Sequence, residues 1–278
     1  MSLEFLTDYI WLFVAGLGGG FLAGLLGIGG GIIYILILPL ALRNAGVPEL
    51  EVAQYIVANS IFGTTAASLF GSITLIKHKD FYLKEVLLVG ISGIITSYAL
   101  LYFFVNTPLF SEKIFNAAVI LFLLLILLTS FGKLQQKLLF SKPVSNEQRW
   151  YISTGCLSGA MSALSGLGGG TVVVPLLKSG LHMDIKRARS ISLGVIFIVS
   201  GFITLFNLLE EPNFAYQGGN LGYIVFPVVL PMSLGVLLSS SFGVKVSRKI
   251  SSQIISYIFA AFLLLVIIRK TLILFNAI

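Results

Sequence analysis

The chain has 278 residues, 57% of them hydrophobic and 10% charged, with a mean hydropathy of +1.00 and a net charge of +7. A soluble domain carries about 25% charged residues, so this chain cannot coat a water-facing surface of its size. Composition therefore excludes a soluble enzyme, a nucleic-acid binder and a disordered chain, and leaves an integral membrane protein.

The first polar stretch, 1–8, holds Glu4 and Asp8 and no Lys or Arg. A cleavable signal needs a basic start, so the apolar run at 9–26 reads as part of the mature protein. Apolar runs at 52–76, 86–105, 114–131, 190–209, 221–242 and 254–268 are also read as crossings, for which about 20 residues are required. A further run, 150–177, is rich in Gly and Ser. Two segments that follow glycine clusters, 32–42 and 171–177, are too short to cross and read as half-helices.

The loops sort by charge. Loops 77–84, 178–189 and 243–252 and the linker 132–149 are basic, whereas 1–8 and 210–220 are acidic. Basic loops face the cytoplasm. The simple path then has both termini outside, the linker inside, an out-and-back segment from outside at 9–42, and another from inside at 150–177. Arg269 and Lys270 fall near the outer face, against the pattern.

GLGGGFLAGLLGIGGG at 16–31 matches GCLSGAMSALSGLGGG at 155–170, with an offset of 139 residues from Gly31 to Gly170. Six glycines coincide. Downstream the offset is 135, pairing Ala53 with Ala188, Ile56 with Ile191, Ile61 with Ile196 and Phe62 with Phe197. One out-and-back segment plus three crossings per copy inverts the second copy against the first, and inverted repeats with interrupted helices are a transporter architecture. The expected fold is an all-α polytopic membrane protein of two inverted repeats, 1–131 and 150–278, each a glycine-broken helical hairpin plus three transmembrane helices, joined by a cytoplasmic linker at 132–149.

Irregular backbone inside a bilayer must be buried in protein or line a cavity. The tips at 27–31 and 166–170 are expected to face each other, each with a helix N-terminus aimed at it. Such an end binds an anion without a charged side chain. The candidate site is Gly29, Gly30, Gly31, Ile32, Gly168, Gly169, Gly170 and Thr171, with Asn59, Ser60, Ser165 and Ser192 as lining side chains. Gly31, Ile32, Gly170 and Thr171 are the expected N–H donors. Gly16, Gly20, Gly24, Gly155 and Gly159, spaced by four or its multiples, read as helix-packing residues. Ser and Thr in spans usually bond their own helix carbonyls, whereas the Asn59 amide needs partners of its own.

No ionisable residue falls in the middle of a span, so no carboxylate proton carrier is visible. One cysteine and two histidines, both in charged stretches, leave no disulfide and no metal cluster. Ser165-Gly166 suggests an intramembrane serine protease, but that chemistry needs a nearby base, and neither His78 nor His182 lies in a span. The reading is a transporter, not an enzyme, with no cofactor and no metal. Its partners are a small anion and the lipid bilayer, with no nucleic acid, and a homo-oligomer is left open. The alternatives are a channel-like facilitator of another small anion and a non-transporting assembly subunit.

The paired GLLGIGGG (24–31) and SALSGLGGG (162–170), each followed by an apolar helix, resemble the TauE/SafE family of membrane transporters, also called the sulfite exporter or TSUP family. The second copy fits best, with Pro175 five residues after Gly170. The first departs, since Pro39 lies eight residues after Gly31. The resemblance implies a cell (inner) membrane protein that exports or takes up small sulfur-containing or organic anions, such as sulfite, sulfoacetate, taurine-related sulfonates or thiosulfate. The residues themselves point to an anion, not to sulfur.

Overall fold

The structure, a computed structural model, describes residues 3–26, 31–130, 146–213, 219–247 and 249–274. It is built of helices: α1 (Leu3–Leu26), α2 (Gly31–Asn44), α3 (Val52–Lys77), α4 (Leu83–Leu100, continued by a π-helical turn to Val105) and α5 (Glu112–Ser130). The second half supplies α6 (Glu147–Ser165), α7 (Gly170–Gly180), α8 (Ile185–Leu209), α9 (Phe226–Ser247) and α10 (Ser252–Leu274). Helical segments Glu49–Lys77, Leu83–Val105, Ile185–Leu209 and Phe226–Ser247 are long and apolar enough to cross a bilayer. At 14 and 11 residues, α2 and α7 are only about 21 and 17 Å long, short of a hydrocarbon core of about 30 Å. The chain is thus an all-α, multi-pass membrane protein. Most of the expected linker, residues 131–145, lies outside the described residues.

One expected crossing shifts. The run at 221–242 begins as helix only at Phe226, because Asn220–Leu221 and Ile224–Val225 pair as an antiparallel hairpin, β1 and β2. Gly222, at φ +55°, supplies the left-handed turn, and Asn220 Nδ2 donates to the Gly222 carbonyl oxygen at 2.8 Å. Pro227 then sits in the first turn of α9, where a missing N–H costs nothing. Hydropathy alone could not separate a buried hairpin from the helix that follows it.

Each half forms a hairpin that returns to the end it left. In the second, Trp150 at the start of α6 donates Nε1 to the Leu176 carbonyl oxygen of α7 at 3.0 Å and lies against Gly180. In the first, Trp11 and Leu12 of α1 share a groove with Leu40 and Asn44 of α2. Helices α3 and α8 run antiparallel through the centre and touch at Thr65 Oγ1 and Thr204 Oγ1, 3.0 Å apart. Glu51, just before α3, bonds Asn213 beyond the end of α8, while Asp80, just past α3, lines a cavity with Lys186 and Arg189 from the start of α8.

Contacts between helices come in matched pairs when the halves are exchanged. Helix α1 packs on α9 as α6 packs on α4, α3 on α9 as α8 on α4, and α2 on α3 as α7 on α8; α5 meets α10. The glycine stripes explain the two closest crossings. A Cβ on Gly16 would overlap the Met232 carbonyl oxygen, and one on Gly24 the Ser240 carbonyl oxygen. In the same way Gly155 meets the Val89 carbonyl oxygen and Gly159 that of Gly93. Small residues let helix backbones touch where lipid offers no hydrophobic drive, so the packing role expected for these five glycines holds.

Gly159→Val should therefore force α6 off α4, costing at least the 1–3 kcal/mol usual for overpacking, about the scale set by extra methylenes in a core. Gly201→Ala, whose Cβ would lie 3.9 Å from Thr65 Cγ2, should be tolerated. Thermal unfolding of both variants in detergent checks this; equal melting temperatures would refute the close crossing.

Candidate functional site: a hydroxyl-lined glycine tip

Helix α6 ends at Ser165, and Gly166, Gly168 and Gly169 all adopt positive φ, +68°, +79° and +66°. Space as well as backbone demands glycine here. A Cβ on Gly168 would overlap Thr64 Cγ2, one on Gly169 the Ser158 hydroxyl, and one on Gly170 the Ile196 side chain. The first half reaches the same place: a Cβ on Gly31, the first residue of α2, would lie 2.7 Å from the Gly166 carbonyl oxygen and 2.9 Å from Leu167 Cα. The two arms thus meet at Gly31 and 166–167. Ile32 is buried beside them. Gly29 and Gly30, with Gly27 and Ile28, lie outside the described residues.

Hydroxyl groups surround the second tip. Ser60 Oγ donates to the Gly166 carbonyl oxygen at 2.7 Å and lies 3.4 Å from that of Gly31, so it spans both arms. Ser192 Oγ donates to the Gly170 carbonyl oxygen at 3.3 Å. Thr171 Oγ1 donates to Met161 Sδ at 3.2 Å. Ser165 and Ser162 instead bond their own helix, at the Met161 and Ser158 carbonyl oxygens. Such back-bonding is the ordinary behaviour of serine in a span. Ser60 departs from it by bonding the carbonyl freed where α6 ends at Gly166, and Ser192 by reaching across to the first residue of α7.

The backbone donors are partly used within the tip. The Gly170 N–H donates to the Gly168 carbonyl oxygen at 2.7 Å, and those of Val172 and Val173 to that of Gly169 at 3.1 and 3.3 Å. Among the described residues, the Thr171 N–H has no such bond. Two side chains beside the tip, Thr64 and Ser158, carry fully buried hydroxyls that have no partner among the described residues. Buried polar atoms in native proteins nearly always have one.

Thr64, Ser158 and Tyr34 are not among the residues that the sequence singles out. A signal was present in the repeat. At the 139-residue offset Ser158 answers Gly19, and Val173 answers Tyr34. The Tyr34 ring fills the space over Gly19, with its hydroxyl 2.7 Å from where a Gly19 Cβ would be, and that hydroxyl is also buried without a partner among the described residues. The Tyr34 hydroxyl comes from the second arm of its half and the Ser158 hydroxyl from the first arm of the other.

Asn59 is committed elsewhere. Its Nδ2 donates to the Tyr55 and Tyr223 carbonyl oxygens at 2.7 and 2.9 Å, and its Oδ1 accepts from the Val225 N–H at 2.8 Å. The amide therefore clamps the β1–β2 hairpin onto α3. Buried Glu51 holds the same hairpin: Oε1 accepts from the Asn213 N–H, Asn213 Nδ2 and the Tyr223 hydroxyl, each at 2.9 Å. Burial first, then the bond to Glu51, pushes the Tyr223 phenol well above its ordinary value, so it stays a proton donor. Nothing in one sequence marks Glu51, because its partners lie more than 160 residues away. Among the described residues no group of three His, Cys, Asp or Glu side chains could hold a metal.

Two short helical arms that meet inside a polytopic bundle, at a glycine break ringed by hydroxyls, put the protein in the class of membrane transporters with broken helices. The chain belongs to the sulfite exporter TauE/SafE family, whose sequence profile matches residues 12–270. It is 28% identical to a probable membrane transporter protein of Methanocaldococcus jannaschii over 257 residues, 91% of each chain. It is 27% identical to a probable membrane transporter protein of Haemophilus influenzae over 269 residues, 96% of this chain and 99% of that one. No solved structure matches it.

Replacing Glu51 or Asn59 by Ala should loosen the hairpin by the 1–3 kcal/mol that follows loss of one partner from a buried bond, an order-of-magnitude figure of about that size. Amide hydrogen exchange at 219–225 should rise while 150–165 keeps its protection. Unchanged exchange at the hairpin would refute the clamp.

Proposed function

We propose that the protein carries a small oxyanion, such as sulfite or an organosulfonate, across the cell membrane, and that the anion binds at the meeting point of the two arms. The observation that carries this reading is the Ser158 hydroxyl against Gly169, with the buried Thr64 hydroxyl on the side chain whose methyl meets Gly168, neither having a partner among the described residues. Both can donate to an anion, as can the Thr171 N–H at the positive end of α7. Gly31 and Ile32 bring the N-terminus of α2 to the same point from the other half. Sulfite and sulfonates offer several anionic oxygens to such donors, and family membership favours them over carboxylates. The site has donors and no fixed charge, so it can bind an anion and let it leave.

We read the matched helix contacts as an inverted repeat, with the first hairpin opening to the outside and the second to the cytoplasm. The basic ends of α3, α8 and α9 then face inward. Transport outward needs no coupling residue, because a membrane negative inside drives an anion out by about 2.3 kcal/mol per charge per 100 mV.

Purified protein in liposomes should move sulfite or a sulfonate faster than protein-free vesicles; equal rates would sink the reading. Thr64→Val and Ser158→Ala should each weaken anion binding about tenfold, as loss of one bond to a charged group does. Gly169→Val should abolish transport while the protein still inserts. Labelling from each side should place loops 43–51 and 178–189 on opposite faces, and finding both on one face would disprove the inversion.

A further inference from the structure

We propose that Arg189, with Lys186, forms a second docking site for the same small oxyanions on the basic face of the bundle, one step before the tip; this rests on the transport reading above. The sequence places Arg189 in a basic loop. The structure instead buries it, 6% exposed, in the first turns of α8. Its Nη1 donates to the Leu25 carbonyl oxygen at 3.0 Å and its Nε to that of Ile185 at 3.3 Å. Leu25 lies in the last turn of α1, immediately before the first glycine tip. Arg189 therefore pins the last turn of α1.

Among the described residues no carboxylate bonds Arg189; the ion pairs there use Arg43 and Arg187. A buried cation without a bonded counter-ion is costly, and in a membrane protein such a charge marks an ion path. Fixing backbone carbonyls does not require the charge. At the 135-residue offset Arg189 answers Gln54, and that neutral amide donates to the Thr107 and Phe110 carbonyl oxygens at 3.3 and 3.1 Å. Gln54 bonds the α4–α5 connection of its own half, whereas Arg189 bonds the end of α1 in the other half, and only one of the two matched positions carries a cation.

The cation also has room beside it. A cavity of about 50 Å³ is lined by Gly24, Asp80, Lys186, Arg189, Ser190 and Ser247, among others. Its two cations outnumber its one carboxylate. A water needs about 10–15 Å³ by this measure, so several waters or one compact oxyanion fit. A guanidinium fork matches two oxygens of one anion, which favours oxyanions over halides. Lys186 is exposed at the mouth and draws anions from solution. The opposite face carries Gln54 at the equivalent place, so pick-up is built for one side.

Face-resolved sulfite flux in vesicles holding the full chain in one orientation tests this. Arg189→Gln should raise the half-saturating sulfite concentration at the basic face about tenfold, the value of one bond to a charged group, and leave the opposite face unchanged. Arg189→Lys should recover most of the loss. Lys186→Gln, at an exposed position that folding tolerates, should raise the same constant about two- to threefold, the scale of an exposed charge. Equal losses at both faces with a lowered melting temperature would reduce Arg189 to a helix cap and overturn the docking site. An unchanged half-saturation in Arg189→Gln and Lys186→Gln would overturn it while transport stands. No anion flux in the unsubstituted protein would overturn the transport reading and this site with it.

Discussion

A chain that breaks its helix inside an apolar bundle must find partners for the backbone groups it frees, since lipid offers none. The tip at 166–170 imposes that condition, and much of the structure answers it. Ser60 and Ser192 leave their own helices to bond tip carbonyls. The tip N–H groups fold back on tip carbonyls. Helices α3 and α8, which carry the serines, must pass through the centre, and the glycine stripes draw α1 onto α9 and α6 onto α4 around them. Bulk in any of these stripes would push the arms apart and strand the tip.

The repeat fixes the backbone plan and leaves the side chains free to differ. Where one half has Gly19 under Tyr34, the other has Ser158 and Val173 at the matching sequence positions. Where one has Gln54, the other has Arg189. The connection from α3 to α4 is five residues, 78–82, whereas that from α8 to α9 holds the hairpin that Glu51 and Asn59 pin down.

The few charges are placed with the same economy. Arg43 pairs with Glu49 and Glu112 at one end of the bundle, and Arg187 pairs with Glu85 at the other while lying 4.7 Å from the Tyr82 ring centroid. Lys270, which the charges of the loops put near the outer face, is buried: Nζ donates to Asn116 Oδ1 at 2.9 Å and sits 4.8 Å from the Phe115 ring centroid. A long side chain near a span end can turn into a helix interface when an amide and an aromatic face receive it.

The low charge by itself determined a membrane protein, because hydropathy is a sum over residues and needs no geometry. The sequence also carried the doubled glycine motif, the half-helices after it and the packing role of Gly16, Gly20, Gly24, Gly155 and Gly159, since spacing along a helix fixes which face a residue shares. Ser60 and Ser192 were legible as polar groups next to the breaks. Only the tertiary structure decided that Asn59 clamps a hairpin, that 221–225 is not helix, and that Ser158, Tyr34, Glu51 and Arg189 are buried where they are. The outcomes for Asn59, Glu51 and Arg189 depend on partners more than 100 residues away, and those for Ser158 and Tyr34 on how the two arms of one hairpin pack, so a local pattern holds no record of them.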